Sequence, residues 1–396
     1  RYGHILKMDR YKHVCKGYHG FRELSKDELR GLYQQRKIRP NTARYHWIDT
    51  LYALSEATLY AGIVDALEAR AALGHDAVRL TFDWSRLEPE VGRRDGAVVE
   101  HLREVLGEAR RLGLSVWGVL HERALPGWFS VDEHGLADDR SRRYFWARHV
   151  EQVGEELGDL VDGWIPMVEP ARWALQGWLT AAGPPGRVDD AEGFSGALQG
   201  ALLGSVEAAL RLRAAGRPVA TGQWVVPAFP ARVTPDVPPS PEAEAMVGVV
   251  DEALFGCWRR LLLEGTLIAP GRAPIEVPAA RTAFDRIGIT YRHAVAVRGD
   301  GVLLPYPQQL PVRADGQVSW AEGLALALHH VADTFGDHPL QLVGYGVAAD
   351  DPAFDEFEHQ ARTVVQGALD DGIDLRSAWW DAPLAIDRPP RRPTPR

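Results

Sequence analysis

The chain has 396 residues and is poor in sulfur, with 2 cysteines and 3 methionines. Cys15 and Cys257 form no CxxC pair, so neither a disulfide framework nor a thiolate zinc site is to be expected. Long apolar runs are missing too. No stretch approaches the ~18 to 20 apolar residues that cross a bilayer, and the first residues lack an apolar core followed by a small-residue cleavage site. The expectation is a cytoplasmic protein without membrane contact. Common catalytic signatures are also absent: there is no GxSxG, no phosphate-binding GxxxxGKS/T and no supportable Cys/His dyad. His121-Glu122 begins like the zinc motif HExxH, but Leu125 occupies the second histidine position, so no metal site is expected. The run Gly344-Tyr345-Gly346-Val347-Ala348-Ala349 loosely matches a dinucleotide fingerprint. That fingerprint needs a strand ending in an acidic residue about 20 residues on, and the stretch Phe357–Leu369 reads as helix instead. No cofactor is implied.

What is present fits a globular protein: 45% hydrophobic and 25% charged residues. The formal charge of -9 argues against a general nucleic-acid binder. Residues 1–45 are the exception, a basic arm whose acids are Asp9, Glu23, Asp27 and Glu28. Such an arm could touch RNA, an acidic partner or the protein's own acidic surface, and the last is the plainest reading. At the other end, residues 389–396 (Pro389-Pro390-Arg391-Arg392-Pro393-Thr394-Pro395-Arg396) read as a disordered tail.

Between them, residues 46–388 read as one α/β domain in which helical apolar spacing alternates with short β-rich runs. A helix over Thr58–Gly74 precedes the strand Ala77–Phe82. A helix over Val99–Leu112, closed by Gly113, precedes the strand Leu114–Leu120. The unit repeats as helix Tyr144–Leu157 with strand Gly163–Met167, and helix Ala197–Ala215 with strand Val219–Val226. A proline-rich loop over Val233–Pro241 follows. Further on, the pattern predicts a helix over Pro241–Glu264 and a strand over Arg286–Tyr291. A loop with Pro305, Pro307 and Pro311 comes next, then a helix over Trp320–Phe335 and a strand over Leu340–Val343. Helix Asp355–Leu369 and strand Ile373–Ala378 complete the series. The expected fold is a (β/α)8 barrel whose remaining strand lies before Thr58. Barrels of this kind carry their chemistry at the C-terminal ends of the strands.

That rule singles out Glu169, which follows the strand Gly163–Met167 and is restricted by Pro170. With Trp164, Trp173 and Trp178 near in sequence, its carboxyl group could have a raised pKa and protonate a leaving oxygen. A solvated glutamate that ends a strand is the alternative. Arg79 lies within a strand, where an arginine points inward only if it is paired or lines a site; an outer-face salt bridge is the other reading. His121 and Glu122 end the next strand.

These residues fall into an ordered set that resembles the family 1 β-glycosidases. Arg79-Leu80-Thr81-Phe82-Asp83-Trp84-Ser85-Arg86-Leu87-Glu88-Pro89 is similar to their RFS-S-SR-P signature, and Leu120 to Phe129 to their LHHFTLPRWF segment. Trp164-Ile165-Pro166-Met167-Val168-Glu169-Pro170 stands where they have a strand ending in Asn-Glu-Pro. Arg286-Ile287-Gly288-Ile289-Thr290-Tyr291-Arg292 resembles D-FIG-NYY, and Glu322-Gly323-Leu324 with Pro339 to Gly346 matches P-GL and P-ITENG in order and spacing. The resemblance covers roughly residues 46–380.

In that family two glutamates flank the glycosidic bond, one as acid/base and one as nucleophile. The resemblance makes Glu169 the acid/base, Arg79 the arginine beside the nucleophile and His121 a contact to a sugar hydroxyl. It also makes Trp128, Tyr291 and Trp379 substrate-binding positions. Gly344 stands at the nucleophile position, Val168 at that of the asparagine, and Arg292 at the second tyrosine of NYY. The WSL-DNFEW segment is not recognisable in Leu375–Asp381. Without the nucleophile the covalent intermediate is lost, so ordinary retaining hydrolysis should be close to abolished. Glu122 is a candidate replacement carboxylate, with a surface pair to Arg123 as its bland alternative. Three functions follow: a glycosidase-like enzyme of carbohydrate metabolism acting on a glycoside or related small molecule, a non-hydrolytic ligand-binding pseudoenzyme, or a biosynthetic enzyme using Glu169 on a non-sugar substrate.

Overall fold

A computed structural model of the chain describes residues 67–380 except 235, 314–315 and 347–352. The basic arm, the first part of the helix expected over Thr58–Gly74, the strand expected before it and the Pro/Arg tail lie outside the described residues.

The described strands that build the main sheet are β1 (Ala77–Thr81), β2 (Ser115–His121), β3 (Gly163–Met167), β4 (Gln223–Trp224), β5 (Ile287–Thr290), β6 (Leu340–Tyr345) and β7 (Leu375–Trp380). β1, β2 and β3 form one parallel ladder, and β4, β5, β6 and β7 another. Parallel bridges Trp164 to Val219 and Ala220 to Arg286 join the two in sequence order. Helices cover the outside: α1 (Gly96–Arg111), α2 (Ala147–Leu157), α3 (Pro170–Trp178), α4 (Ala191–Ala214), α5 (Pro241–Asp251), α6 (Cys257–Glu264), α7 (Ala321–Phe335) and α8 (Phe354–Asp370). This is the architecture of a (β/α)8 barrel.

The strands are legible because both faces are buried. β2 reads Ser-Val-Trp-Gly-Val-Leu-His with every residue after Ser115 buried, as parallel strands covered by helices require. Its faces go to different cores. Trp117 and Val119 join Ile165, Val168, Ala220, Val343 and Trp379 in a cluster inside the sheet's curve, whereas Val116 and Leu120 join the larger cluster beneath the helices. Gly118 is small because Phe82 and Trp164 meet edge to face above it; a Cβ there would lie 2.6 Å from Phe82 Cε2. Asp95 starts α1 by accepting from the Ala97 and Val98 N–H groups, and Ser240 starts α5 through Ala243 N–H.

Three elements differ from the sequence reading. The strand expected over Val219–Val226 shrinks to β4 because the Thr221 hydroxyl donates to Gly288 O at 2.7 Å and accepts from Gly288 N at 2.8 Å. A side chain thus takes bonds that the ladder would have made. The helix expected over Pro241–Glu264 is divided by a π turn at Glu252–Gly256. The loop containing Pro305 and Pro307 holds a hairpin of Ala294–Val297 and Leu303–Tyr306, with Ala228–Pro230 beside it. Leu303–Tyr306 is an edge strand, which tolerates Pro305 because no outer neighbour needs its missing N–H.

Candidate functional site

Glu169 is the junction between β3 and α3. Its backbone is left-handed, φ 55° and ψ 47°, a strained state for a residue without glycine's freedom and doubly so before a proline. The surroundings hold it there: Glu169 N–H donates to Gly222 O at 2.6 Å and its carbonyl accepts from Trp173 N–H at 2.8 Å. Strain concentrated at the mouth end of a barrel strand marks this position as more than a strand terminus.

The side chain is buried and fully engaged. Arg172 Nη1, one turn along α3, donates to Oε2 at 2.6 Å, and Arg292 Nε, just beyond β5, donates to Oε1 at 2.6 Å. The side chains of Glu169, Arg172 and Arg292 are 8%, 15% and 11% exposed. Burial alone would raise the carboxyl pKa, but the Arg292 and Arg172 charges and their hydrogen bonds outweigh it and hold Glu169 well below the usual carboxylate range. The N-terminus of α3 favours the anion as well. The raised pKa expected for a proton donor is therefore overturned by two guanidiniums, one of which, Arg292, stands where the resemblance has a tyrosine.

The other expected residues are only partly brought together. His121 is buried at the end of β2, its ring edge-on to Trp173 at 5.3 Å. Burial lowers its pKa to about 4, so near neutral pH it is uncharged. Nδ1 lies 3.3 Å from Ala124 O and so carries the proton, which leaves Nε2 a buried acceptor without a partner among the described residues. Arg79 pairs through its main-chain position with Trp117, whose ring is inside the sheet, and so faces inward. It lies 3.6 Å from Glu122, whose carboxylate also accepts from Thr81 Oγ1 at 2.9 Å. Glu122 is thus drawn to β1, while the charges that act on Glu169 are those of Arg292 and Arg172.

Trp379 packs against Trp117 at 5.6 Å, and its Nε1 is buried without a partner. Gly344 sits in β6 opposite Thr290, beside a register shift, and its carbonyl accepts from Tyr291 N–H. Two expected substrate contacts are committed elsewhere. Trp128 is buried against Trp84 and Phe145, and its indole N–H donates to Glu88 O at 2.9 Å. The Tyr291 hydroxyl donates to Trp320 O at 2.6 Å, and burial raises its pKa. Trp164, expected near Glu169, packs on Phe82 instead.

Sequence reasoning missed Arg172, Trp224 and Thr290. Arg172 carried a signal, since a residue three positions into a helix from Glu169 shares its face. Trp224 lies under Arg172, with the guanidinium carbon 6.0 Å from the ring centre. Its Nε1 and the Thr290 hydroxyl are buried without partners among the described residues. Among the described residues no group of three or more His, Cys, Asp or Glu could hold a metal ion, and no helix is long and apolar enough to cross a membrane.

A barrel with an ion-paired glutamate at a strand mouth defines the class, and comparison with known proteins narrows it. Beta-glucosidase 6 of Oryza sativa subsp. japonica is 28% identical over 137 residues, which are 32% of this chain and 25% of the rice protein. The matched stretch thus spans about a quarter of that relative's length. The beta-glycosidase from Pyrococcus horikoshii superposes with a TM-score of 0.68 at 20% identity, covering 80% of this chain and 73% of its own. The family 1 β-glucosidase from Thermotoga maritima gives 0.68 at 17% identity, covering 80% and 76%; it has also been solved in complex with glucoimidazole. The chain is thus similar in sequence to a β-glucosidase over about a third of its length, and it shares the barrel fold of the family 1 β-glycosidases. A different family, the 5' nucleotidase family, has a model that matches residues 1–95. That match covers the basic arm, the boundary expected at residue 46 and all of β1.

Proposed function

We propose that this β-glycosidase-like barrel binds a glycoside or related small molecule at its mouth and that ordinary retaining hydrolysis is impaired. The observation that carries the reading is the double ion pair of Glu169 with Arg172 and Arg292. A carboxylate held so far below its ordinary pKa is a poor general acid near neutral pH. Gly344 supplies no carboxylate at the position opposite, and Glu122 is turned to Thr81 and Arg79. In this reading Glu169 is a fixed anion that orients the site, and the acid role of the ancestral residue is lost. Binding is supported by polar atoms that lack partners among the described residues: His121 Nε2 accepts, and Trp379 Nε1 donates. Buried polar groups normally find partners, and a ligand's hydroxyl groups would supply them.

The test pairs turnover with stabilisation. The protein should release no phenol from an aryl β-glucoside or an aryl β-glucuronide above the uncatalysed rate, while a methyl β-glycoside raises its melting temperature. Phenol release that the Glu169→Gln variant abolishes would overturn the reading and restore Glu169 as a working acid/base.

A further inference from the structure

The residues around Glu169 supply more hydrogen-bond donors than acceptors. Arg172 uses Nη1 on Glu169 Oε2 and Arg292 takes Oε1, so one carboxylate faces two positive charges. Directly beneath Arg172 is the indole of Trp224, 2% exposed, whose Nε1–H can only donate and has no acceptor among the described residues. Gln223, its neighbour in β4, sends its side chain outward to Leu254 O at 2.6 Å. Side chains alternate along a strand, so Trp224 takes the face opposite Gln223, where the Arg172 guanidinium lies over its ring. Thr290, the register partner of Trp224 on β5, adds a buried hydroxyl without a partner among the described residues. Donors left without acceptors in a buried site are costly, and the chemistry that satisfies a guanidinium and an N–H together is an oxyanion.

We propose that Arg172 and Trp224 Nε1, with Thr290 beside them, form an oxyanion subsite, so that the ligand of this barrel carries a carboxylate or phosphate group. The inference rests on the mouth being the ligand site. It makes an acidic glycoside a better ligand than a neutral one. The Arg172–Trp224 pair then sets specificity by binding the acid group and takes no part in any bond-making step.

Calorimetric titrations of the full chain with methyl β-D-glucuronide, methyl β-D-glucoside and inorganic phosphate test it, because the first and third carry the two oxyanion types and the second carries none. The glucuronide should bind at least about tenfold more tightly than the glucoside, the effect of one charge-assisted contact. Trp224→Phe removes a single N–H and keeps the ring, and it should weaken glucuronide binding several-fold. Arg172→Gln should weaken it about tenfold or more. Equal affinity for the two glycosides, or glucuronide affinity unchanged in both variants, would overturn the subsite and leave the glycoside reading standing. Phosphate binding that both variants weaken, with neither glycoside bound, would support the subsite and overturn the glycoside reading. Melting temperatures of both variants establish that each is folded, and Trp224→Phe keeps the test sharp if Arg172→Gln is not.

Discussion

Replacing Glu169 by glutamine removes one negative charge and leaves Arg172 and Arg292 facing a neutral amide. Both lost contacts are charge-assisted bonds of 2.6 Å to a side chain only 8% exposed. Removing one partner of a buried ion pair costs ~3 to 5 kcal/mol, because the remaining charge stays buried without compensation. With a urea dependence of up to ~3 kcal/mol per molar, the unfolding midpoint should fall by about 1 M or more at neutral pH. The pH dependence is the sharper half of the prediction. The folded pKa of Glu169 lies below its ordinary value of 4.5, so its contribution is fully present above that value and is lost as pH falls through the depressed folded pKa. The gap between parent and variant should therefore stay level from pH 7 down to about 5 and close only in stronger acid. Urea titrations followed by far-ultraviolet circular dichroism at several pH values measure both quantities. A midpoint change under ~0.3 M, or a gap that closes between pH 7 and 5, would refute the ion-paired glutamate.

Other outcomes follow from the same structure. His121 refuses a proton in the folded state until about pH 4, whereas the unfolded chain takes one near 6.5; stability should therefore fall by up to ~3 kcal/mol as pH drops between these values, and His121→Asn should flatten that part of the profile. Gly288→Ala would put a Cβ 1.9 Å from Thr221 O, a backbone atom that cannot swing away, and should cost more than ~3 kcal/mol in urea unfolding. Gly107→Ala, in α1 with nothing within 4 Å, is its control and should be neutral or stabilising by up to ~1 kcal/mol. Trp128→Phe removes the N–H that serves Glu88 O, deep in the aromatic cluster, so it should lower the urea midpoint without changing glycoside affinity.

Arg292 shows why the site was only half legible. In the sequence it is a departure from a tyrosine, with no sign of what it touches; in the fold it spans 123 positions to reach Glu169 Oε1. Glu169 was found by its place after a strand and before a proline, both local features. Its ionisation was misread because burial, which raises a carboxyl pKa, can be guessed from neighbouring tryptophans, while a guanidinium from β5 cannot. Trp128 and Tyr291 matched their segments in type and spacing, yet their polar atoms are satisfied by Glu88 O and Trp320 O, carbonyls that no spacing rule points to.

The sequence by itself determined the order and kind of elements. Runs such as Val116–His121 and Ile287–Thr290 are apolar on both faces, and helices such as Gly96–Arg111 start at an aspartate that caps them. These are short-range properties, readable within a few residues. Tertiary structure alone decided where the strands paired and which polar atoms met. The Thr221 hydroxyl cut short a strand by bonding to Gly288, and Arg292 closed on Glu169 from just beyond β5. The reason is electrostatic. The charge state of a buried group depends on what lies within a few ångströms in space, and Arg292, which helps to set that of Glu169, is 123 positions away in the chain.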